Sequence, residues 1–321
     1  MHLPASVNFA SRKLAVMSFR IHRIEFFRLD MKTRFPFRYG IGSMTELPHL
    51  VVRATAEVDG RISTGMSADG LAPKWFTKNP DTDYVDDDLP AMLSSIHHAA
   101  QHAEGVGTAA TVFDWWWETY QAQNQWGNNH GVPGLLSGFG CSLVERAAID
   151  AFCRARKTTL GEALRENSLG VDLPRLRPQL TSNAIRAALP PSPESTVRLR
   201  HTVGLGDPLV DGDIDDGSRL YDGLPHSLVQ NIRHYGLHYF KIKLSGQLDH
   251  DLDRLVRLER LLVDEVGDSM RFTLDGNEQF QSVDEFRYAW DKFRERPPLS
   301  RMIDRQLLFV EQPIHRDAAL D

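Results

Sequence analysis

Three short segments concentrate side chains able to do chemistry. "FKIKLSG" carries Lys241 and Lys243, "FTLDGN" carries Asp275 and Asn277, and "LFVEQP" carries Glu311. Each reads as an apolar strand that turns polar at its carboxyl end. Residues two apart on a strand share a face, so the two ammonium groups lie side by side. Two carboxylates converging at strand ends make half of an oxygen-ligand site for a hard divalent cation. Magnesium suits such a site because it takes a few carboxylates and keeps several waters. A lysine free in water has a pKa of about 10.4 and is a poor base at neutral pH. A like charge two residues away, a nearby dication and partial burial all disfavour its protonated form. Tuned in this way, a lysine can take up a proton and return it.

The elements that must position these residues follow from periodicity. "SFRIHRIEFFRLDM" and "HLVVRATAEVDGRISTG" alternate apolar and polar residues, as antiparallel strands do, with a turn at "VDGR". "RFPFRYGIGSMTELP" and "SADGLAPKWFTKNPDTD" read as loops. "VDDDLPAMLSSIHHAAQHA", "TVFDWWWETYQAQNQWG" and "GCSLVERAAIDAFCRARKTTLGEALREN" read as helices, the first opening with acids that favour a helix N-terminus. A sheet followed by helices predicts an α+β domain. Downstream the texture changes to strands at "RHTVGLGDPL", "LHYFKIKLSG", "MRFTLDGNEQF" and "RQLLFVEQPI". Helical stretches lie between them: "GLPHSLVQNIRHYG", "DHDLDRLVRLERLLVDEVG" and "SVDEFRYAWDKFRER". Such alternation predicts right-handed βαβ units and a parallel sheet, in which function gathers at the carboxyl ends of the strands.

Composition narrows the class. The 321 residues are 41% hydrophobic and 25% charged, with a net charge of −6, values of a globular chain with no basic block for nucleic acid or an anionic membrane. No apolar run approaches the roughly 20 residues of a membrane span. Residues 1–16 lack the continuous apolar core of a signal peptide and read either as a disordered leader or as sequence ahead of a true start at Met17. Cys141 and Cys153 make neither a disulfide framework nor a metal cluster, and as core residues they fit a reducing cytoplasm.

Each feature has a plainer reading. The lysine pair alone could be edge-strand charges that discourage aggregation, although the apolar flanks and adjoining helices indicate a central strand. Asp275-Gly276-Asn277 alone could be a β-turn, and Glu311 alone is undistinguished. "DGDIDDGSRLYD" has acids near calcium-loop spacing, but its glycine falls one position late and Asp222 stands where glutamate is needed. It reads as a flexible acidic loop. The histidines show no spaced ligand pair on a shared face. "DWWWE" reads as core packing between helices rather than a platform for a sugar.

The ordered set K-x-K, D-x-N and E-Q-P on successive strands resembles the enolase superfamily, on its mandelate racemase and muconate-lactonizing branch. "SLVERAAIDAFCRARKTTLGEAL" is similar to that branch's helix between capping domain and barrel, and "HTVGLGDPL" to its first barrel strand. The resemblance implies an α+β capping domain over residues 17–135 and the first half of a TIM-like (β/α) barrel over 136–321. It implies a Mg2+-dependent lyase or isomerase (dehydratase, racemase or epimerase, or cycloisomerase) that abstracts the proton α to a substrate carboxylate through an enediolate. Lys243 would be the acid/base, with Lys241 lowering its pKa and contacting the carboxylate. Asp275 and Glu311 would be two of three metal ligands, with Asn277 lining the site. Capping-domain loops bearing Tyr39 and Trp75 would select a small carboxylic acid, and a homo-oligomer is compatible with the resemblance. The family's third ligand and second acid/base lie on later strands. A full barrel takes about 250 residues, and roughly half of that follows "HTVGLG". The expectation is therefore a chain truncated after its fourth barrel strand, with a catalytically inactive fragment as the alternative.

Overall fold

Alternating side chains set the first sheet. In the computed structural model, which describes residues 17–39 and 42–319, β1 (Phe19–Tyr39), β2 (Gly42–Val58) and β3 (Arg61–Gly70) form one sheet in the order β1-β2-β3. The expected leader over residues 1–16 lies outside the described residues, as do the side chains of residues 37–39 and 42. β2 and β3 pair antiparallel from Val58 opposite Arg61. Asp59 and Gly60 turn between them with φ of 50° and 76°, the left-handed pair that a two-residue hairpin needs. Val52, Ala54, Ala56 and Val58 are buried on one face. The segment "RFPFRYGIGSMTELP", expected to be a loop, is largely strand, because β1 and β2 run on past the sheet core.

Helices cover that sheet. A short α1 (Lys74–Thr77) lies within the second expected loop, and one π-helical turn, Tyr84–Asp88, leads into α2 (Leu89–Gly105). Asp83 caps this start by accepting hydrogen bonds from the N–H groups of Val85 and Asp86. Then follow α3 (Val112–Asn129), α4 (Gly134–Arg156), α5 (Leu160–Arg165), α6 (Leu173–Leu176) and α7 (Ala184–Ala188). α4 packs on β3 so closely that a side chain at Gly65 would meet the Ala151 backbone nitrogen at 2.1 Å. The chain divides into two compact units, the first ending at Pro193, so α4 counts with the sheet, whereas the resemblance implies a boundary at 135. Within "DWWWE", Trp115 is fully buried and its indole N–H donates to Ala103 O at 3.0 Å, while Trp116 and Trp117 are half-buried. Contrary to the sequence reading, α2 sets His98 and His102 on one face, ring centroids 6.0 Å apart, with His98 stacked on Trp126. Among the described residues no group of three or more His, Cys, Asp or Glu is arranged to hold a metal ion.

The second unit takes in Phe35–Thr45 and the chain from Glu194. Its strands β4 (Arg200–Val203), β5 (Tyr239–Lys243), β6 (Arg271–Asp275) and β7 (Leu307–Glu311) form a parallel sheet in sequential order. Between them lie α8 (Leu228–Tyr235), α9 (Leu248–Glu265), α10 (Val283–Arg294) and α11 (Pro297–Gln306). Phe240, Ile242, Phe272 and Leu274 form one core with Leu255, Leu258 and Leu262 of α9 and Leu299 and Met302 of α11. Each such side chain contributes about 1.5–3 kcal/mol by leaving water. α11 falls on a stretch for which the sequence pattern predicts no element, between a helix and the strand "RQLLFVEQPI". A proline at the first helical position, however, lacks only an N–H that would be unpaired anyway. Gly236 stops α8 in the left-handed conformation, its N–H on Ile232 O, as its sequence predicts.

The acidic stretch after β4 is anchored rather than flexible. Asp211 accepts from Ser227 Oγ at 2.6 Å and Gln230 Nε2 at 2.9 Å, while Asp213 accepts from the Leu209 and Val210 N–H groups and from Arg257 at 2.6 Å. Burial pushes the Asp213 carboxyl up, but Arg257 and the two N–H groups outweigh it and hold it below the ordinary carboxylate value. Cys141 and Cys153 are free and buried, and burial, then Glu145, pushes the Cys141 thiol up to about 12. No helix among the described residues is long and apolar enough to cross a membrane.

A depressed carboxyl stabilises the fold above its unfolded pKa of about 3.9 and loses that contribution as pH falls through its lower folded value. Asp213→Asn is therefore expected to lower the urea midpoint at pH 7 and to differ little from wild type once the pH is below the folded value. A gap that persists unchanged into strong acid would contradict the assignment. Both thiols should resist a thiol reagent at pH 8 in the native protein and react after denaturation.

Candidate active site

Strand register builds the site. Lys243 pairs with Asp275 across β5 and β6, and Asp275 pairs with Glu311 across β6 and β7, one row at the carboxyl ends of three strands. Lys241 lies two pairs deeper on the same face, opposite Thr273. A bulge where β7 begins pairing with β6 puts Phe309, not Leu308, opposite Thr273 and thereby keeps Glu311 in register with Asp275.

The side chains meet. Lys243 Nζ donates to Asp275 Oδ2 at 2.6 Å and to Asn277 Oδ1 at 2.8 Å. Lys241 Nζ reaches the same Asp275 Oδ2 at 2.7 Å and donates to Glu311 Oε1 at 2.6 Å. Asp275 Oδ1 accepts the Asn277 N–H at 2.9 Å. Asp275 is fully buried, Lys243 is 7% exposed, and the Lys241 and Glu311 side chains are 16% and 28% exposed. Burial dominates at Lys243 and, with the Lys241 charge, draws its pKa down against the pull of Asp275. At Lys241 burial also acts downward, but the bonds to Asp275 and Glu311 outweigh it and raise the pKa. Burial would raise Asp275, yet hydrogen bonds from both lysines and from the Asn277 N–H hold it below the ordinary value. The two lysines of K-x-K thus diverge.

Backbone geometry fixes the row. The Gly276 N–H donates to Glu311 O at 2.9 Å and the Glu278 N–H to Gln312 O at 2.8 Å, joining the strand ends. A side chain at Gly276 would meet Pro313 Cα at 2.5 Å, so glycine is required by the close approach. Asn277 and Glu278 both have positive φ, 47° and 65°, a pair of left-handed residues held by these bonds. Buried Glu278 pairs with Arg316 at 2.7 Å.

Asp275 and Glu311 already direct one oxygen each at a single cationic atom, the Lys241 nitrogen. That convergence is what a hard dication requires, and the two carboxylates fit as two of its ligands once the ammonium withdraws. Five residues singled out from sequence are brought together: Lys241, Lys243, Asp275, Asn277 and Glu311. Trp75 lies half-buried on α1 of the first unit, and the side chain of Tyr39 lies outside the described residues. Sequence reasoning missed Arg200, which crosses the sheet face from β4 to donate to Thr273 Oγ1 at 3.1 Å and to approach Glu311 at 3.6 Å, its guanidinium over the Phe309 ring. Its alternation with Thr202 ahead of "VGLG" was the available signal.

No family model matches the sequence, and no curated protein matches it. Solved structures do match. The L-Ala-D/L-Glu epimerase from Bacillus subtilis is 18% identical, with a TM-score of 0.53 over 93% of this chain and 62% of that chain. Muconate lactonizing enzyme from Pseudomonas fluorescens, complexed with muconolactone, is 15% identical, with a TM-score of 0.53 over 93% and 61%. An enolase from Bradyrhizobium, complexed with magnesium and mandelic acid, is 15% identical, with a TM-score of 0.51 over 94% and 63%. These likenesses establish the fold as an α+β capping domain followed by part of a (β/α) barrel, the architecture of the mandelate racemase and muconate-lactonizing proteins. The chain spans 61–63% of the length of these relatives.

Removing one partner of a buried ion cluster leaves the others uncompensated. Asp275→Ala should cost about 3–5 kcal/mol in urea unfolding, because two ammonium groups lose a shared partner. Lys243→Met, which puts a similar volume of apolar chain there and leaves Asp275 paired with Lys241, should cost much less. Equal losses from the two would contradict this account.

Proposed function

We propose that the Lys241–Lys243–Asp275–Glu311 cluster belongs to a magnesium-dependent lyase or isomerase that removes the proton α to a substrate carboxylate. Dehydration, racemisation or epimerisation, and cycloisomerisation are the outcomes within this class. The observation that carries the reading is one buried carboxylate shared by two lysines, with a second carboxylate beside it, at the carboxyl ends of parallel strands. The fold agrees, since the relatives above include an epimerase, a lactonizing enzyme and a protein complexed with magnesium and mandelic acid.

In this reading Asp275 and Glu311 would be two of the residues that hold the dication, which would supply positive charge beside the substrate carboxylate. Lys243 in its neutral form takes the proton from the α-carbon onto Nζ and returns it. Asn277 Oδ1, 2.8 Å away, orients that nitrogen. Lys241 turns from the carboxylates to the substrate carboxylate and keeps a positive charge next to Lys243, which favours the neutral base. Tyr39 and Trp75 contribute to choosing the acid, and the protein works in the cytoplasm. A second reading draws on the same distances. The ammonium groups of Lys241 and Lys243 together balance the two carboxylates, so the cluster could be a closed structural network in a non-catalytic chain.

Titration with magnesium separates the two. The enzymatic reading expects saturable binding that Asp275→Asn and Glu311→Gln each weaken at least tenfold, about 1.4 kcal/mol. Absence of binding, or binding indifferent to both substitutions, supports the closed network. In deuterated water the chain should exchange the α-proton of one member of a panel of acid sugars, dipeptides and aromatic acids, and Lys243→Ala should abolish it. Exchange that survives the substitution removes Lys243 from the base role.

A further inference from the structure

The first strand carries a feature that the site does not use. Along β1, Phe27, Leu29 and Met31 alternate on one face and are 45%, 56% and 46% exposed. Three large apolar side chains in a row on a strand are uncommon in a surface left to water. The Arg53 guanidinium lies 5.0 Å from the Phe27 ring centre and covers it only in part. The other face of the same stretch carries Arg28 and Asp30, joined at 2.6 Å but 64% and 74% exposed, a pair that contributes little where it stands. β1 is also an edge. Among the described residues its sheet neighbour is β2, with one isolated bridge from Phe19 to Ala109. The outer N–H and C=O groups of the strand therefore offer a row to pair with.

The segment Phe27-Arg28-Leu29-Asp30-Met31 is complementary to itself. Laid antiparallel on a copy about a twofold axis through Leu29, it sets Leu29 opposite Leu29. Phe27 then faces Met31, and Arg28 faces Asp30. Both faces of the pairing are matched, apolar on one side and opposite charges on the other, the two kinds of cross-strand pair that stabilise sheets. A shift of one residue would set the apolar row against the charged row. We propose that β1 docks on β1 of a second copy of this chain, antiparallel and centred on Leu29, as an isologous contact that joins two three-stranded sheets into one. Residues 26–32 supply roughly 24 Å of paired strand at about 3.4 Å per residue.

The register makes the test specific. Sedimentation over a concentration range should show a monomer–dimer equilibrium. Arg28→Asp, which puts acids opposite acids, should weaken it about tenfold or more, and the double change Arg28→Asp with Asp30→Arg should restore it. Both native thiols are buried, so an added surface thiol can be followed alone. Leu29→Cys should cross-link to its copy under mild oxidation. Met31→Cys should not, because its equivalents lie about four residues apart, near 13 Å and beyond the ~7 Å limit for a disulfide. Melting of each variant by circular dichroism checks that it folds. A wild-type chain that stays monomeric overturns the proposal, as does a dimer indifferent to Arg28→Asp or one in which Met31→Cys cross-links as readily as Leu29→Cys.

Discussion

A carboxylate with no access to water, held between two ammonium groups, governs the second unit. An unpaired charge in that position would cost several kcal/mol, so Asp275 demands its partners as firmly as they demand it. It has two lysines on one oxygen and a backbone N–H on the other. The register of β5 on β6, the bulge between β6 and β7 and the left-handed turn after Asp275 all serve this arrangement. The sheet is the frame, but the charge sets its alignment.

The two lysines share an acid and still differ. Lys241 has two carboxylates and Lys243 has one carboxylate and an amide oxygen. Deeper burial and the weaker second partner draw Lys243 toward the neutral form, while Lys241 stays a cation. Equal spacing in sequence thus yields two chemically distinct amines, and the distinction comes from what the neighbouring strands present.

Much of this was legible before coordinates. Period-two alternation in "FKIKLSG" set both lysines on one face, and the apolar flanks made the strand central. Gly236 announced the end of α8. What escaped were features decided by neighbours distant in sequence. The register that lines up Asp275 with Glu311 depends on a bulge that no local pattern marks. Arg200 acquires its place only when β4 lies beside β5. The glycines and prolines between β1 and β2 read as a loop, yet position within the element mattered more than residue type. The acids after β4 read as solvated because their partners, Ser227, Gln230 and Arg257, lie on helices further along the chain.

Gly276 has one more consequence. The spacing of the two acids is set by a hydrogen atom where any other residue would carry a methyl group, since that carbon would fall on the Pro313 backbone. The smallest substitution in the molecule, alanine for this glycine, would push the tip of one strand off the next and open the gap between the acids. The tolerance of the site is therefore written in a residue with no chemistry of its own.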